Sequence, residues 1–202
     1  MNIEPKSANL IVALTGASGS IFCVRLLQAL KETEVRTHLV MSKWGIQTLK
    51  YETSFSAASL RRLADENYSD TDLGAPISSG SFLTMGMVVV PCSAKSLGSI
   101  AYGHGSGLIQ RAADVVLKER RRLVLAVRET PLSDIHLENM LKLSRMGAVI
   151  CPPVPAFYTM PKTIDDIIDQ TVGRIIDQFG IHLPSATRWA GVPPKVLDNC
   201  ES

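Results

Sequence analysis

Along the chain, short continuous apolar runs alternate with stretches in which apolar residues return every three or four positions. Leu10 to Leu14 is such a run, of strand length, ending in Thr15-Gly16, and Ile21 to Leu30 follows with helical spacing. The pattern predicts strand, glycine turn and helix. Arg36 to Met41 predicts a second strand and Trp44 to Tyr51 a second helix, so a β-α-β unit opens the chain. Helices are predicted at Ala57 to Asp65, Ser93 to Ile100, Leu108 to Arg120, Ile135 to Met146 (capped by Ser133 or Asp134) and Ile164 to Phe179. Strands are predicted at Met87 to Val90, closed by Pro91, at Leu123 to Val127 and at Ala148 to Cys151. The rest of 52–83 is irregular and reads as a loop rich in Ser, Gly and Asp. Strands alternating with helices at this spacing predict an α/β fold with a mostly parallel, doubly wound sheet.

Composition narrows the classes. The 202 residues show no compositional break, and 46% hydrophobic with 20% charged residues is ordinary for one globular domain. The predicted organisation is an N-terminal arm at 1–9, a domain at 10–190 and a tail at 191–202. A net charge of +2 is too small for a nucleic-acid surface. The basic run Lys118-Glu119-Arg120-Arg121-Arg122 has no interleaved aromatic residues and reads as a solvated helix end. Residues 1–9 carry Glu4, Pro5 and Lys6 with no apolar core of a leader, and no run is long enough to span a bilayer; a cytoplasmic location without membrane contact is expected. Cys23, Cys92, Cys151 and Cys200 are scattered, without zinc-ligand spacing, so reduced thiols and no metal are expected.

The polar motifs fall where strands end. In parallel sheets ligands bind beyond the carboxyl ends of the strands. Thr15-Gly16-Ala17-Ser18-Gly19 follows the first strand, Ser42 the second, and Cys92-Ser93-Ala94-Lys95-Ser96 the third. Arg128-Glu129 follows the next, and Pro152-Pro153 the last. The glycine loop suits close approach to a phosphate, or else only a tight turn into a helix. It lacks the Gly-Lys-Ser/Thr of a P-loop. Tyr158 and Lys162 satisfy the YxxxK spacing of short-chain dehydrogenases, but Pro161 lies between them and Val40-Met41-Ser42 offers no acidic residue for a ribose, which excludes that class. Lys95 is either a phosphate partner or a solvated helix lysine. Arg111 and Lys118 share a helix face two turns apart. Glu129, a carboxylate beside arginine, is a candidate for proton transfer. His136 and Glu138 face different ways and make a poor metal pair. Tyr158 and Arg174 are candidates for holding an anion, or else an aromatic of the core and a surface arginine.

Taken in order, TGASGS at 15–20, Pro91-Cys92-Ser93, Arg111-Ala-Ala-Asp-Val with Leu117-Lys118-Glu119, Arg128-Glu129-Thr130-Pro131-Leu132, Ile135 to Leu141 and Pro155-Ala-Phe-Tyr158 resemble the UbiX-type flavin prenyltransferases. Ile77 to Phe82 and Asp177-Gln-Phe-Gly180 resemble the branch associated with hydroxyarylic and phenylacrylic acid decarboxylases. The resemblance implies a three-layer Rossmann-like (flavodoxin-like) subunit of a dodecamer. It implies transfer of a dimethylallyl group from dimethylallyl phosphate to N5 and C6 of reduced FMN, without metal, the product serving a UbiD-type decarboxylase. Carried over by position, it assigns Gly16, Ala17, Ser18, Ser42, Ser93, Ala94, Lys95, Ser96 and Arg128 to FMN. Lys118, Tyr158 and Arg174, with Arg111 beside them, are assigned to the prenyl phosphate, some from a neighbouring subunit. Ser18, Glu52 and Glu129 are assigned to catalysis, Glu129 moving a proton, and Trp189 to the pocket wall. Leu73 departs from a tryptophan some members carry. Two alternatives stay open: an FMN-binding accessory subunit without catalysis, and a flavin-dependent cysteine decarboxylase of related fold. The latter needs an early catalytic histidine, whereas this chain's first is His38, within a predicted strand.

Overall fold

The computed structural model describes residues 8–184, 186, 188, 189 and 191. Residues 1–7 of the predicted arm, and 192–202 of the predicted tail with Cys200, lie outside the described residues. Six parallel strands form one sheet in the order β3-β2-β1-β4-β5-β6. They are β1 (Ala8–Leu14), β2 (Val35–Met41), β3 (Glu66–Ser69), β4 (Gly86–Cys92), β5 (Arg122–Val127) and β6 (Val149–Ile150). Seven α-helices are described: α1 (Ser20–Lys31), α2 (Lys43–Glu52), α3 (Ala57–Arg61), α4 (Ala94–Ala101), α5 (Leu108–Lys118), α6 (Asp134–Arg145) and α7 (Ile164–Asp177).

Alternation along the central strand assigns the layers. Leu10, Val12 and Leu14 face a core shared with α1, α2, α3 and α7, through Leu27, Leu49, Leu60 and Val172 among others. Ile11 and Ala13 face the other core, built with α4, α5 and α6 through Leu97, Ile109 and Leu143. A strand covered on both faces has no reason to alternate with polar residues, which is why β1 and β4 read as unbroken apolar runs. Local chemistry sets the helix starts. Ser42, Ser93, Ser133 and Thr163 each accept a hydrogen bond from an amide in the first turn of α2, α4, α6 and α7. This resolves the cap of α6 in favour of Ser133.

Several predicted boundaries are corrected. The helix expected at 57–65 ends at Arg61, α5 ends at Lys118 and α7 at Asp177. The strand expected to stop at Pro91 runs to Cys92 past a register shift after Val89, where a residue without an amide proton is tolerated. Within the predicted loop lies β3, a four-residue edge strand paired with β2.

His38 in β2 is buried and structural. Asn9 Nδ2 donates to the Leu83 carbonyl (2.9 Å), which leaves Asn9 Oδ1 as an acceptor. His38 Nε2 therefore carries the proton given to Asn9 (3.0 Å), and its Nδ1 accepts from the Tyr68 hydroxyl (2.9 Å). Burial holds its pKa below the ordinary value of 6.5; the nearby Glu66 and Asp65 oppose the shift and Arg36 adds to it. The unfolded chain therefore takes up a proton that the folded chain refuses. Stability from this site is complete above about pH 6.5 and declines as pH falls toward the depressed folded value, by at most about 1.4 kcal/mol per pH unit. Urea unfolding should show the stability gap between the native chain and His38→Gln shrinking from pH 7.5 to pH 5; a gap constant with pH would contradict this.

Candidate active site

The chain order reverses between β1 and β4, the switch point at which doubly wound sheets open a crevice. Thr15 Oγ1 bridges it, donating to the Pro91 carbonyl (2.7 Å) and accepting from the Ser93 amide (2.9 Å). The Ser42 amide donates to the Leu14 carbonyl and the Arg128 amide to the Cys92 carbonyl, each at 3.0 Å. These bonds align the ends of β2, β1, β4 and β5, bringing Ser42, the 15–18 loop, Ser93 to Ser96 and Arg128-Glu129 to one edge. Ser42 and Ser93 double as helix caps, and Ser96 is buried with its hydroxyl 3.0 Å from that of Ser93. Arg128 and Lys95 are exposed, and Glu129 is half-buried with Oε1 accepting from the Thr130 amide.

The glycine loop is built differently from a simple phosphate cradle. A Cβ at Gly16 would lie 2.5 Å from Trp44 Cβ, so the glycine answers first to the packing of α2. Gly19, at φ 100°, caps α1 without a side chain of its own. The acceptor comes instead from Glu52 at the end of α2. Its Oε2 receives the amides of Gly19 (2.8 Å) and Ser20 (2.9 Å) and the Ser20 hydroxyl (2.7 Å). Burial pushes this carboxyl up, but hydrogen bonds from the Ser18 and Ser20 side chains and from the two amides outweigh it, holding the pKa below the usual carboxylate range. An ionised carboxylate thus occupies the positive end of α1. The amides of Gly16, Ala17 and Ser18 have no protein acceptor among the described residues. With the first turn of α4 and Arg128, they present donors that fit the phosphate and polar edge of a flavin mononucleotide, beside which the exposed Ser18 hydroxyl, its proton given to Glu52, offers an acceptor.

A cavity lined in part by cationic side chains lies one strand further along. A cavity of about 590 Å³ beyond β6 is lined by Cys151, Tyr158, Gln170, Arg174, Arg188 and Trp189, among others. Tyr158 and Trp189 meet edge to face at 5.5 Å. Asp177 receives Arg174 (3.2 Å), His182 (3.0 Å) and Arg188 (2.6 Å), so two guanidiniums face one carboxylate and a positive charge is left over. Sequence reasoning named Tyr158, Arg174 and Trp189 but missed Arg188 and Asp177.

Lys118 and Arg111 are not brought to this edge. Both lie on α5, in the opposite layer; Arg111 is engaged by Asp114 and the Ser78 carbonyl, Lys118 by Glu119. Lys118 ends α5 just before β5 begins at Arg122, whereas Arg128 follows the far end of that strand. Six strand residues separate the two edges by roughly 20 Å. Leu73 is exposed in the loop after β3. Cys23 and Cys92 are core thiols pushed up to about 12 by burial, and with Cys151 they are free.

Fold and site together define a flavoprotein of the doubly wound α/β class, and the Flavoprotein family model matches residues 2–176. The mitochondrial flavin prenyltransferase PAD1 of Saccharomyces cerevisiae is 56% identical, the match covering 95% of this chain and 79% of that protein. A crystal structure of AnUbiX in complex with FMN and dimethylallyl pyrophosphate superposes with TM-score 0.91 at 53% identity, covering 92% of this chain and 99% of that one. A dodecameric FMN-dependent UbiX-like decarboxylase from Escherichia coli gives TM-score 0.89 at 56% identity, covering 91% and 100%. This chain belongs to the UbiX-like flavin prenyltransferases.

Proposed function

We propose that this protein joins a dimethylallyl group, delivered as its phosphate ester, to N5 and C6 of reduced FMN, and that the prenylated flavin serves a UbiD-type decarboxylase. It is a transferase that uses FMN. One observation supports the reading for these residues: a single carboxyl edge carries both the donor row of 16–18, α4 and Arg128 and, separately, the cationic cavity of Arg174 and Tyr158. A flavin carrier has need of only the first. Gly16, Ala17, Ser18, Ser42, Ser93 to Ser96 and Arg128 hold FMN, whose isoalloxazine supplies the electron-rich centre.

Arg174 and Tyr158, with Lys118 and Arg111 from a second copy, hold the prenyl phosphate and neutralise it as it departs. Trp189 and Tyr158 supply apolar and π surface for the allylic chain. Glu129 moves a proton at the flavin edge, and Ser18, hydrogen-bonded to Glu52, positions a hydroxyl there. The working assembly is a dodecamer and the location cytoplasmic; among the described residues no helix is long and apolar enough to cross a membrane.

Incubating the purified protein with reduced FMN and either dimethylallyl phosphate or the pyrophosphate tests this. Prenylated flavin by mass spectrometry is expected with the monophosphate, and the pyrophosphate arm shows whether the diphosphate ester also serves. FMN binding with no prenylated product from either ester would leave an accessory flavin carrier. A histidine-dependent decarboxylase is disfavoured, because His38 is buried and its ring nitrogens are occupied by Tyr68 and Asn9.

A further inference from the structure

Asp177 ends α7 with a side chain only 10% exposed, and its carboxylate is the meeting point of Arg174, His182 and Arg188. Arg188 does more than pair with it. Its Nη1 also reaches the carbonyls of Leu183 (3.5 Å) and Ala186 (3.4 Å), so the guanidinium ties the segment after α7 back onto the helix end. The next residue is Trp189, whose ring stands edge-on against Tyr158. Tyr158 in turn accepts from Gln170 of α7 (3.4 Å). The Arg188–Trp189 segment and the Arg174 guanidinium therefore hang on one carboxylate, while Tyr158 is held by Gln170 of the same helix.

We propose that Asp177 and Arg188 are positioning residues for prenyl transfer: their ion pair sets Trp189 against Tyr158 while Asp177 orients Arg174 toward the cavity. This rests on reading Tyr158, Arg174 and Trp189 as substrate-holding residues. Neither Asp177 nor Arg188 carries the chemistry. An exposed ion pair is worth little, but here a mostly buried carboxylate takes two guanidiniums and an imidazole, and losing it leaves both arginines without a counter-charge. The ligand class that gains from this arrangement is a short branched allyl chain ending in a phosphate. Its apolar part meets the two rings and its anionic end meets the positive charge that Asp177 leaves unbalanced.

The test uses a Trp44→Phe background, so that Trp189 is the one remaining tryptophan of the two in the chain. Acrylamide quenching of Trp189 in FMN-free protein reports its packing, and steady-state kinetics report the site. Arg188→Ala should raise quenching and raise KM for dimethylallyl phosphate by roughly 10- to 100-fold, with kcat changed less. FMN affinity, from a flavin fluorescence titration, should be unchanged. Arg188→Lys should recover part of both effects, and Asp177→Asn, which keeps the shape of the carboxylate, should move both the same way if Arg188→Ala fails to fold. Quenching equal to the parent's in folded variants overturns the proposal, whatever happens to KM. A parent protein that makes no prenylated flavin would sink the functional reading instead, and the quenching comparison would still decide the positioning role.

Discussion

Glu52→Gln is expected to slow prenyl transfer by roughly two orders of magnitude while FMN binding and the fold persist. Glu52 sits at the start of α1, where Gly19 and Ser20 would otherwise present unpartnered amides, and it receives those amides, the Ser20 hydroxyl and a bond from Ser18. A carboxamide oxygen still accepts at the helix start, so stability should fall by only about 1 kcal/mol. What disappears is the negative charge to which the exposed Ser18 hydroxyl is bonded at the flavin edge. Glu52→Ala removes every acceptor and should lose about 1–2 kcal/mol in addition to activity.

The pH dependence has a definite sign. The folded pKa lies below the ordinary carboxylate value, so this contribution to stability is complete above the unfolded pKa of about 4.3 and is lost as pH falls through the folded one. Near neutrality the wild-type rate should carry no titration from Glu52. Turnover of Glu52→Gln within about threefold of wild type would reduce Glu52 to a helix cap.

What the sequence revealed depended on whether the cause was local. The unbroken runs of β1 and β4 and the serines at their ends are local, and they located both the sheet and the carboxyl edge. β3 was missed because Glu66-Asn67-Tyr68-Ser69 is an edge strand of polar residues with a half-buried face, indistinguishable by periodicity from the loop after it. Gly16 is read from the sequence as suiting close approach to a phosphate or a tight turn; that it also makes room for Trp44 is a contact between segments that no spacing rule reports. Nor does Glu52 carry a local signature: it caps a helix that begins 32 residues earlier. Only the family resemblance singled it out. Asp177 and Arg188 pair across a turn 11 residues apart, a spacing no helix or strand brings together, so nothing in the sequence gives either a role in the site and Asp177 enters only as part of a family motif.

Co-expressing two weakened variants should restore activity, because the residues proposed to hold the phosphate sit where one chain cannot unite them. Lys118 is in the α5 layer at the amino edge of the sheet, while Arg174 is in the α7 layer beside Cys151 at the carboxyl edge. Lys118→Ala and Arg174→Ala alone should each lower turnover by roughly 10²- to 10³-fold, the loss that follows removal of a group stabilising developing charge. In an assembly drawn at random from equal amounts of the two, half the copies supply an intact Lys118 and half an intact Arg174. A site taking one residue from each of two copies is then whole about a quarter of the time, so co-expressed, doubly tagged oligomers should recover about a quarter of wild-type activity. Recovery requires that the copies exchange before assembly, so mixing finished oligomers should leave activity at the level of the single variants. Co-assembled protein no more active than either variant would show that Lys118 serves no neighbour's site, and the prenyl phosphate would then be held by Arg174 and Tyr158 of one chain.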